Sequence, residues 1–262
     1  MKKATPFLAA LLLAGGALAA SAATITFTGN ASDFIGAGIA PLQADGIDTQ
    51  TGFCGPDHPL DIDRLFVTND GTNLYIGFDY ARSCVCDINL GLALETKAGG
   101  TAFDPFLRQI DWSLEASAPD YYVYDVIPTN CNGFNYEVLY GANGSGGWNT
   151  IHDGANGLGA VDTDGGSFVE LALHLADLGI DVANCETIRL EAFVTLEGGT
   201  RPGFDFVAND AEQNSTLAGT CFHVPPSGCA FVSRPTTYLS YVMDCPTPAR
   251  KSTWRSLKSQ YR

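Results

Sequence analysis

Apolar and polar residues alternate with a period of two along much of the chain, which is the spacing of a strand with one buried face. Residues 24–29 (TITFTG) open the series. Residues 62–70 (IDRLFVTND) and 73–81 (NLYIGFDYA) are two extended runs joined by Asn69-Asp70-Gly71-Thr72. An Asp-Gly step between apolar runs predicts a hairpin whose turn takes positive φ. Further strands are predicted at 88–96, 108–116, 121–127, 134–141, 167–175 and 188–197. In 108–116, Ile110, Trp112 and Leu114 share one side; in 188–197, Ile188, Leu190, Ala192 and Val194 do. Turn residues stand between them at Pro119-Asp120 and Asp164-Gly165-Gly166. Only 173–181 (LHLADLGID) suggests a helical turn. About nine or ten turn-punctuated strands predict an all-β fold, a two-layer antiparallel β-sandwich. Strands of such mixed polarity predict sheets with one wet face.

The ends of the chain read differently. Met1-Lys2-Lys3, an apolar run from Phe7 to Ala20 and the small-x-small triplet Ala20-Ser21-Ala22 have the layout of a secretory signal peptide over residues 1–22. The sandwich is expected over 23–215. Residues 216–245 form a Cys- and Pro-rich extension whose last sixteen residues (AFVSRPTTYLSYVMDC) predict a hairpin. Residues 246–262 are a basic tail in which Trp254, Leu257 and Tyr261 fall on one face of a helix. No later segment is apolar enough to span a bilayer, so the expected product is secreted or periplasmic, and soluble or attached to the cell surface.

Charge sharpens this division. Of 14 basic residues, Lys2 and Lys3 lie in the leader and Arg250, Lys251, Arg255, Lys258 and Arg262 in the tail. Seven remain against all 29 acidic residues between 23 and 245, a balance of −22. Such a body repels phosphate backbones and excludes nucleic acid as an expected partner.

The eight cysteines, Cys54, Cys84, Cys86, Cys131, Cys185, Cys221, Cys229 and Cys245, are an even set in an exported chain and predict disulfides. Eight allow 105 pairings, so spacing does not fix the connectivity. Cys229 and Cys245 flank two extended runs and could staple a hairpin. No paired C-x-x-C knuckle supports zinc.

The order of several segments resembles the family 9 carbohydrate-binding-module-like superfamily, which also holds the DOMON domains. The likeness rests on 31–42 (ASDFIGAGIAPL), on 61–80 (DIDRLFVTNDGTNLYIGFDY), on 167–180 (SFVELALHLADLGI) with its L-x-x-L-G turn, and on 188–199 and 203–211. It implies an immunoglobulin-like or jelly-roll sandwich, and roles in sugar binding, haem binding or accessory surface functions. Cytochromes of the DOMON group hold iron with Met and His. Here the sole methionine after the leader, Met243, falls outside the resembling region, and no C-x-x-C-H is present. The tail resembles short terminal segments ending in Trp, Leu-Lys and Tyr-Arg on secreted bacterial proteins; its readings are a sorting or envelope-docking signal, or an end that folds back on the acidic body.

Sugar sites use flat aromatic faces with amide, carboxylate and Arg groups around them. Residues 108–149 are rich in these groups, and the candidates are Trp148, Trp112, Tyr122, Tyr124, Arg108 and Asn143. Tyr122 and Tyr124 share one strand face, and Trp148 sits in the Gly-rich stretch GANGSGGWNT. Calcium is the candidate cofactor, with oxygen ligands from Asp61 and Asp63 and from Asp162 and Asp164. The second pair opens like an EF-hand loop but lacks its closing glutamate. There is no G-x-S-x-G elbow, H-E-x-x-H or Walker loop. The expectation is a non-catalytic protein that binds a carbohydrate or glycan surface; the alternative is a structural or envelope-docked protein with no small-molecule ligand.

Overall fold

Two antiparallel sheets carry the chain. The computed structural model describes residues 24–44, 61–81, 88–106, 108, 110–113, 117–127, 136–153, 168–196, 203–207, 235 and 237–245. The first sheet has the order β1 (Gln43–Ala44), β2 (Asp61–Asn69), β3 (Asn73–Ala81), β8 (Phe168–His174). The second has the order β10 (Gly203–Phe206), β9 (Thr187–Leu196), β4 (Ile88–Glu95), β5 (Tyr121–Ile127), β6 (Tyr136–Ala142), β7 (Trp148–Asp153). A last strand, β11 (Leu239–Val242), shares the free edge of β9 with β10. The helical elements are α1 (Ser32–Gly36) and a 3-10 turn, Val182–Asn184. The expected all-β sandwich is present.

Alternation builds the inner core. Leu65, Val67, Leu74, Ile76, Val169 and Leu171 from the first sheet meet Leu90, Leu92, Leu94, Val123, Leu190 and Val194 from the second. Completely burying one such side chain is worth about 1.5–3 kcal/mol. The residues between them were expected to meet water, and they do not. Phe66, Tyr75 and Phe168 on the outer face of the first sheet are buried under residues 24–42, chiefly under Phe34 of α1. Tyr122, Tyr124, Val138 and Phe193 on the outer face of the second sheet are buried under Ile110 and Trp112. Each sheet is therefore dry on both faces over this area.

Two glycines make that packing fit. A Cβ on Gly77 would lie 2.5 Å from the Phe34 ring and 2.7 Å from that of Phe168. A Cβ on Gly91 would overlap the Phe193 ring.

Two expected strands are covers instead. Residues 24–29 carry no ladder, although Ile25 is buried between exposed Thr24 and Thr26. In the 108–116 stretch, Ile110 and Trp112 lie on the second sheet, and the described pairing is a single bridge from Asp111 to Phe103. The excursion between β4 and β5, residues 96–120, is pinched at its neck by buried Asp120, whose carboxylate accepts from the Thr96 and Lys97 amides at 2.9 Å each. Conversely, β7 occupies residues expected to be a Gly-rich loop.

The β2–β3 hairpin forms as expected but by another device. Gly71 is not among the positive-φ residues. The Asp70 carboxylate closes the turn, accepting from Thr72 N at 2.7 Å, Asn73 N at 2.8 Å and Tyr75 OH at 2.7 Å. Burial pushes this carboxyl up, but the Tyr75, Asn73 and Thr72 hydrogen bonds outweigh it and hold it below its usual range.

The C-terminal part of the expected extension belongs to the sandwich. Met243 is buried in the inner core, and Cys245 is bonded to Cys185 rather than to Cys229. Asn69, buried at the end of β2, accepts from Tyr241 OH and Asp244 N at 2.8 Å each and donates to the Asp244 carbonyl at 3.1 Å. This ties the β11 end to the first sheet. The six remaining cysteines, the 1–22 leader, the 246–262 tail and the partner run of the expected final hairpin lie outside the described residues. Among the described residues no helix is long and apolar enough to cross a membrane.

Asp70→Ala should lower unfolding free energy by about 2 kcal/mol while Gly71→Ala changes it by less than about 0.5; urea titration compares them. Cys185 and Cys245 are 60 residues apart, so Cys245→Ser should cost about 4 kcal/mol in the same assay.

Candidate functional site

The outer face of the second sheet gathers the expected sugar-binding residues. It grows from β5, where Tyr122 and Tyr124 point away from the inner core because Tyr121 and Val123 point into it. β9 adds Phe193, seated over Gly91 of β4, and β6 adds Val138 and Tyr140. The excursion lays Trp112 on this floor. Its ring meets Tyr122 at 6.3 Å and Phe193 at 6.2 Å edge to face, and stacks on Tyr238 at 5.5 Å.

Trp112, Tyr122 and Tyr124 are each 0% exposed. They cannot offer a ring face to a sugar, and their expected contact role is corrected to that of a rigid floor. Arg108 is buried as well. Its guanidinium lies 4.7 Å from the Phe106 ring centroid and 4.4 Å from that of Tyr124. It braces the site from within and does not reach out to hydroxyls.

Asp104 organises the turn that carries these rings. One carboxylate oxygen accepts from the amides of Phe106 and Arg108 at 2.8 Å each; the other accepts from Tyr124 OH. Burial raises the Asp104 carboxyl, against the opposing pull of Tyr124 and Arg108. Burial likewise pushes the Tyr122 and Tyr124 hydroxyls well above the usual tyrosine range. Both phenols stay protonated, so Tyr124 remains a donor to Asp104.

What this frame presents to solvent is a different set of rings. Phe103 is 57% and Phe106 45% exposed. Phe106 packs edge to face on Tyr124 at 5.4 Å and on Tyr140 at 5.5 Å. Half-buried Trp148 donates its indole N–H to the Phe103 carbonyl at 2.7 Å and meets Tyr122 at 5.6 Å. Asn143, exposed as expected, shapes the β6–β7 loop. Its Oδ1 accepts from Ser145 N at 2.9 Å and Gly147 N at 3.1 Å, and its amide donors have no partner among the described residues. Trp148 and Asn143 are thus placed beside a solvent-facing aromatic patch, and Phe103, Phe106 and Tyr140 are its additional members. Phe103 and Phe106 escaped the sequence reading because they belong to no alternating run. The available signal was two large rings in a stretch broken by Gly99-Gly100 and Asp104-Pro105.

Of the four expected calcium ligands, Asp63 is the one whose side chain is among the described residues. Asp63 lies 3.9 Å from the Arg64 guanidinium, whose charge disfavours a cation there. Asp162, Asp164 and the Asp61 side chain lie outside the described residues, and among the described residues no group of three or more His, Cys, Asp or Glu could hold a metal.

An open cleft of about 570 Å³ lies at one end of the sandwich, lined by residues that include His152, His174, Asp177 and Asp181. His152 Nε2 is 2.6 Å from Asp177 Oδ2, which joins β7 to the turn after β8. Among the described lining residues Thr72 carries the sole hydroxyl side chain, and there is no Ser, Cys or Lys. No protein-family model and no curated protein matches the chain.

Tyr124→Phe should leave Asp104 short of a donor and cost about 1–3 kcal/mol, read by chemical denaturation against Tyr140→Phe as the half-buried control.

Proposed function

We propose that the protein is an exported, non-catalytic β-sandwich that binds a glycan through the aromatic patch on the outer face of its second sheet. The observation that carries this reading is a pair of exposed rings, Phe106 packed on the buried aromatic floor at Tyr124 and Phe103 with its carbonyl held by the Trp148 indole. A sugar ring presents an apolar face of axial C–H groups, and burying it against fixed rings costs the protein little conformational entropy. The Asn143 amide at the patch edge supplies donors for hydroxyls. The acidic body, at a balance of −22 between residues 23 and 245, favours neutral glycans over polyanionic ones. The resemblance to the family 9 carbohydrate-binding-module-like superfamily supports the same reading at the level of fold.

Soluble neutral oligosaccharides at saturating concentration should raise the melting temperature by several degrees, since binding to the folded state stabilises it by about 2.7 kcal/mol at a hundredfold excess over Kd. Phe106→Ala and Phe103→Ala should each weaken binding tenfold or more with little change in the ligand-free melting temperature. No shift with any glycan at millimolar concentration removes the proposal and leaves a structural, envelope-docked role as the reading to pursue.

A further inference from the structure

The opposite face of the molecule holds a pair of carboxyl groups that this function does not use. Glu170 lies on β8 across from Gly77, on the outer face of the first sheet, and is 0% exposed. Residues 24–42 cross that face as a strap. Two consecutive strap amides point at the Glu170 carboxylate: Thr28 N at 3.0 Å and Gly29 N at 2.5 Å. The Thr28 amide is shared with Asp33 of α1 at 2.7 Å, and Thr28 Oγ1 also bonds Asp33 at 2.7 Å. The strap is thus held by donors divided between two acidic side chains. Because N–H groups converge on these oxygens, the place suits carboxyl groups and not a metal cation.

We propose that Glu170 and Asp33 act as a proton-sharing clasp that grips the N-terminal strap tightly in acid and loosens it as the medium approaches neutrality. With Glu170 protonated, its O–H becomes a donor to the half-buried Asp33 carboxylate and the buried carboxyl carries no charge. With Glu170 ionised, a negative charge is buried beside that of Asp33, beneath a strap packed by Phe34 against Phe168. Other charged and titratable groups described on this face are the Arg64–Asp79 ion pair, with Asp63 beside Arg64, the Tyr75–Asp70 hydrogen bond, and exposed His174 four residues along β8. Arg64 is engaged by Asp79, and none of these groups takes the place of Asp33 beside Glu170. Burial is the largest influence on the Glu170 carboxyl, and the charge and hydrogen bonding of Asp33 add to it against the pull of the strap amides. Together they raise the group from 4.5 to about 7. A folded-state value above the free value means that the contribution to docking is complete below 4.5 and lost as pH rises through about 7.

Hydrogen–deuterium exchange of peptides within 24–42, corrected for intrinsic rates, tests this on the full-length protein. The opening equilibrium of the strap should rise about a hundredfold between pH 4.5 and pH 8 and level off above that, the factor allowed by such a displacement. Peptides from β4 should show no comparable change. Glu170→Gln should hold the strap at its acid level throughout. Asp33→Asn should move the transition to lower pH and shrink it. A carbon-detected NMR titration of the Glu170 carboxyl in the unaltered protein serves if a variant does not fold. Strap exchange independent of pH, an undiminished rise in Glu170→Gln, or a Glu170 titration below pH 5 would each overturn the clasp.

Discussion

Apolar side chains on both faces of both sheets are the constraint from which the rest of this structure follows. One sheet-on-sheet interface can dry only one face of each sheet. Here Leu65, Val67 and Leu74 face inward from the first sheet while Phe66 and Tyr75 face outward, and the second sheet repeats this with Val123 inward and Tyr122 and Tyr124 outward. Burial of aromatic area on the outer faces is favourable enough that two long non-strand segments are recruited as covers. A cover brings backbone amides into a dry environment, where each needs a partner. This is why buried carboxylates recur at the covers: Asp120 at the neck of the excursion, Asp104 at its turn and Glu170 beneath the strap.

Much of the fold was legible because period-two alternation reports an extended chain with one side buried. The sequence readings at 62–70, 73–81, 88–96, 121–127, 134–141, 167–175 and 188–197 all correspond to strands. The same signal misled at 24–29 and 108–116, and the reason is physical. Ile25 is buried with exposed neighbours, and Ile110 and Trp112 are buried on either side of half-exposed Asp111, so each stretch is one-sided while its described residues join neither sheet's ladder. Alternation records burial, and burial does not require a ladder. The opposite error, missing β7, arose because the glycines of its preceding turn dominated the pattern around Trp148. Gly71 shows a third case: the hairpin was legible from Asp70-Gly71, yet the aspartate and not the glycine shapes it.

The site was legible as a region and not as a set of contacts. Residue type drew attention to the stretch that contains Trp112, Tyr122, Tyr124, Arg108, Asn143 and Trp148, and most of its rings join one aromatic cluster on the second sheet. Which rings face solvent is decided by what covers them, and no local pattern encodes a cover that arrives from elsewhere in the chain. Tyr238 stacks on Trp112 from more than a hundred residues away. Phe106 lies on the outside of the Tyr124 and Tyr140 rings and stays partly exposed there, while Asp104 holds its amide.

The two covers are held by unlike forces, and this separates their responses to the medium. The strap over the first sheet depends on hydrogen bonds to carboxyls, one of which is raised to about 7. The excursion over the second sheet is held by stacked rings, by Arg108 between Phe106 and Tyr124, and by the buried carboxylates of Asp104 and Asp120. Two sheets, packed about 10 Å apart and filled by the inner core, stand between the covers. The titrating group at the aromatic patch itself is Asp104, whose carboxyl burial raises and which holds the Phe106 amide. Glycan affinity at Phe103 and Phe106 should accordingly follow the Asp104 carboxyl and not the opening of the strap, unless the sandwich itself gives way.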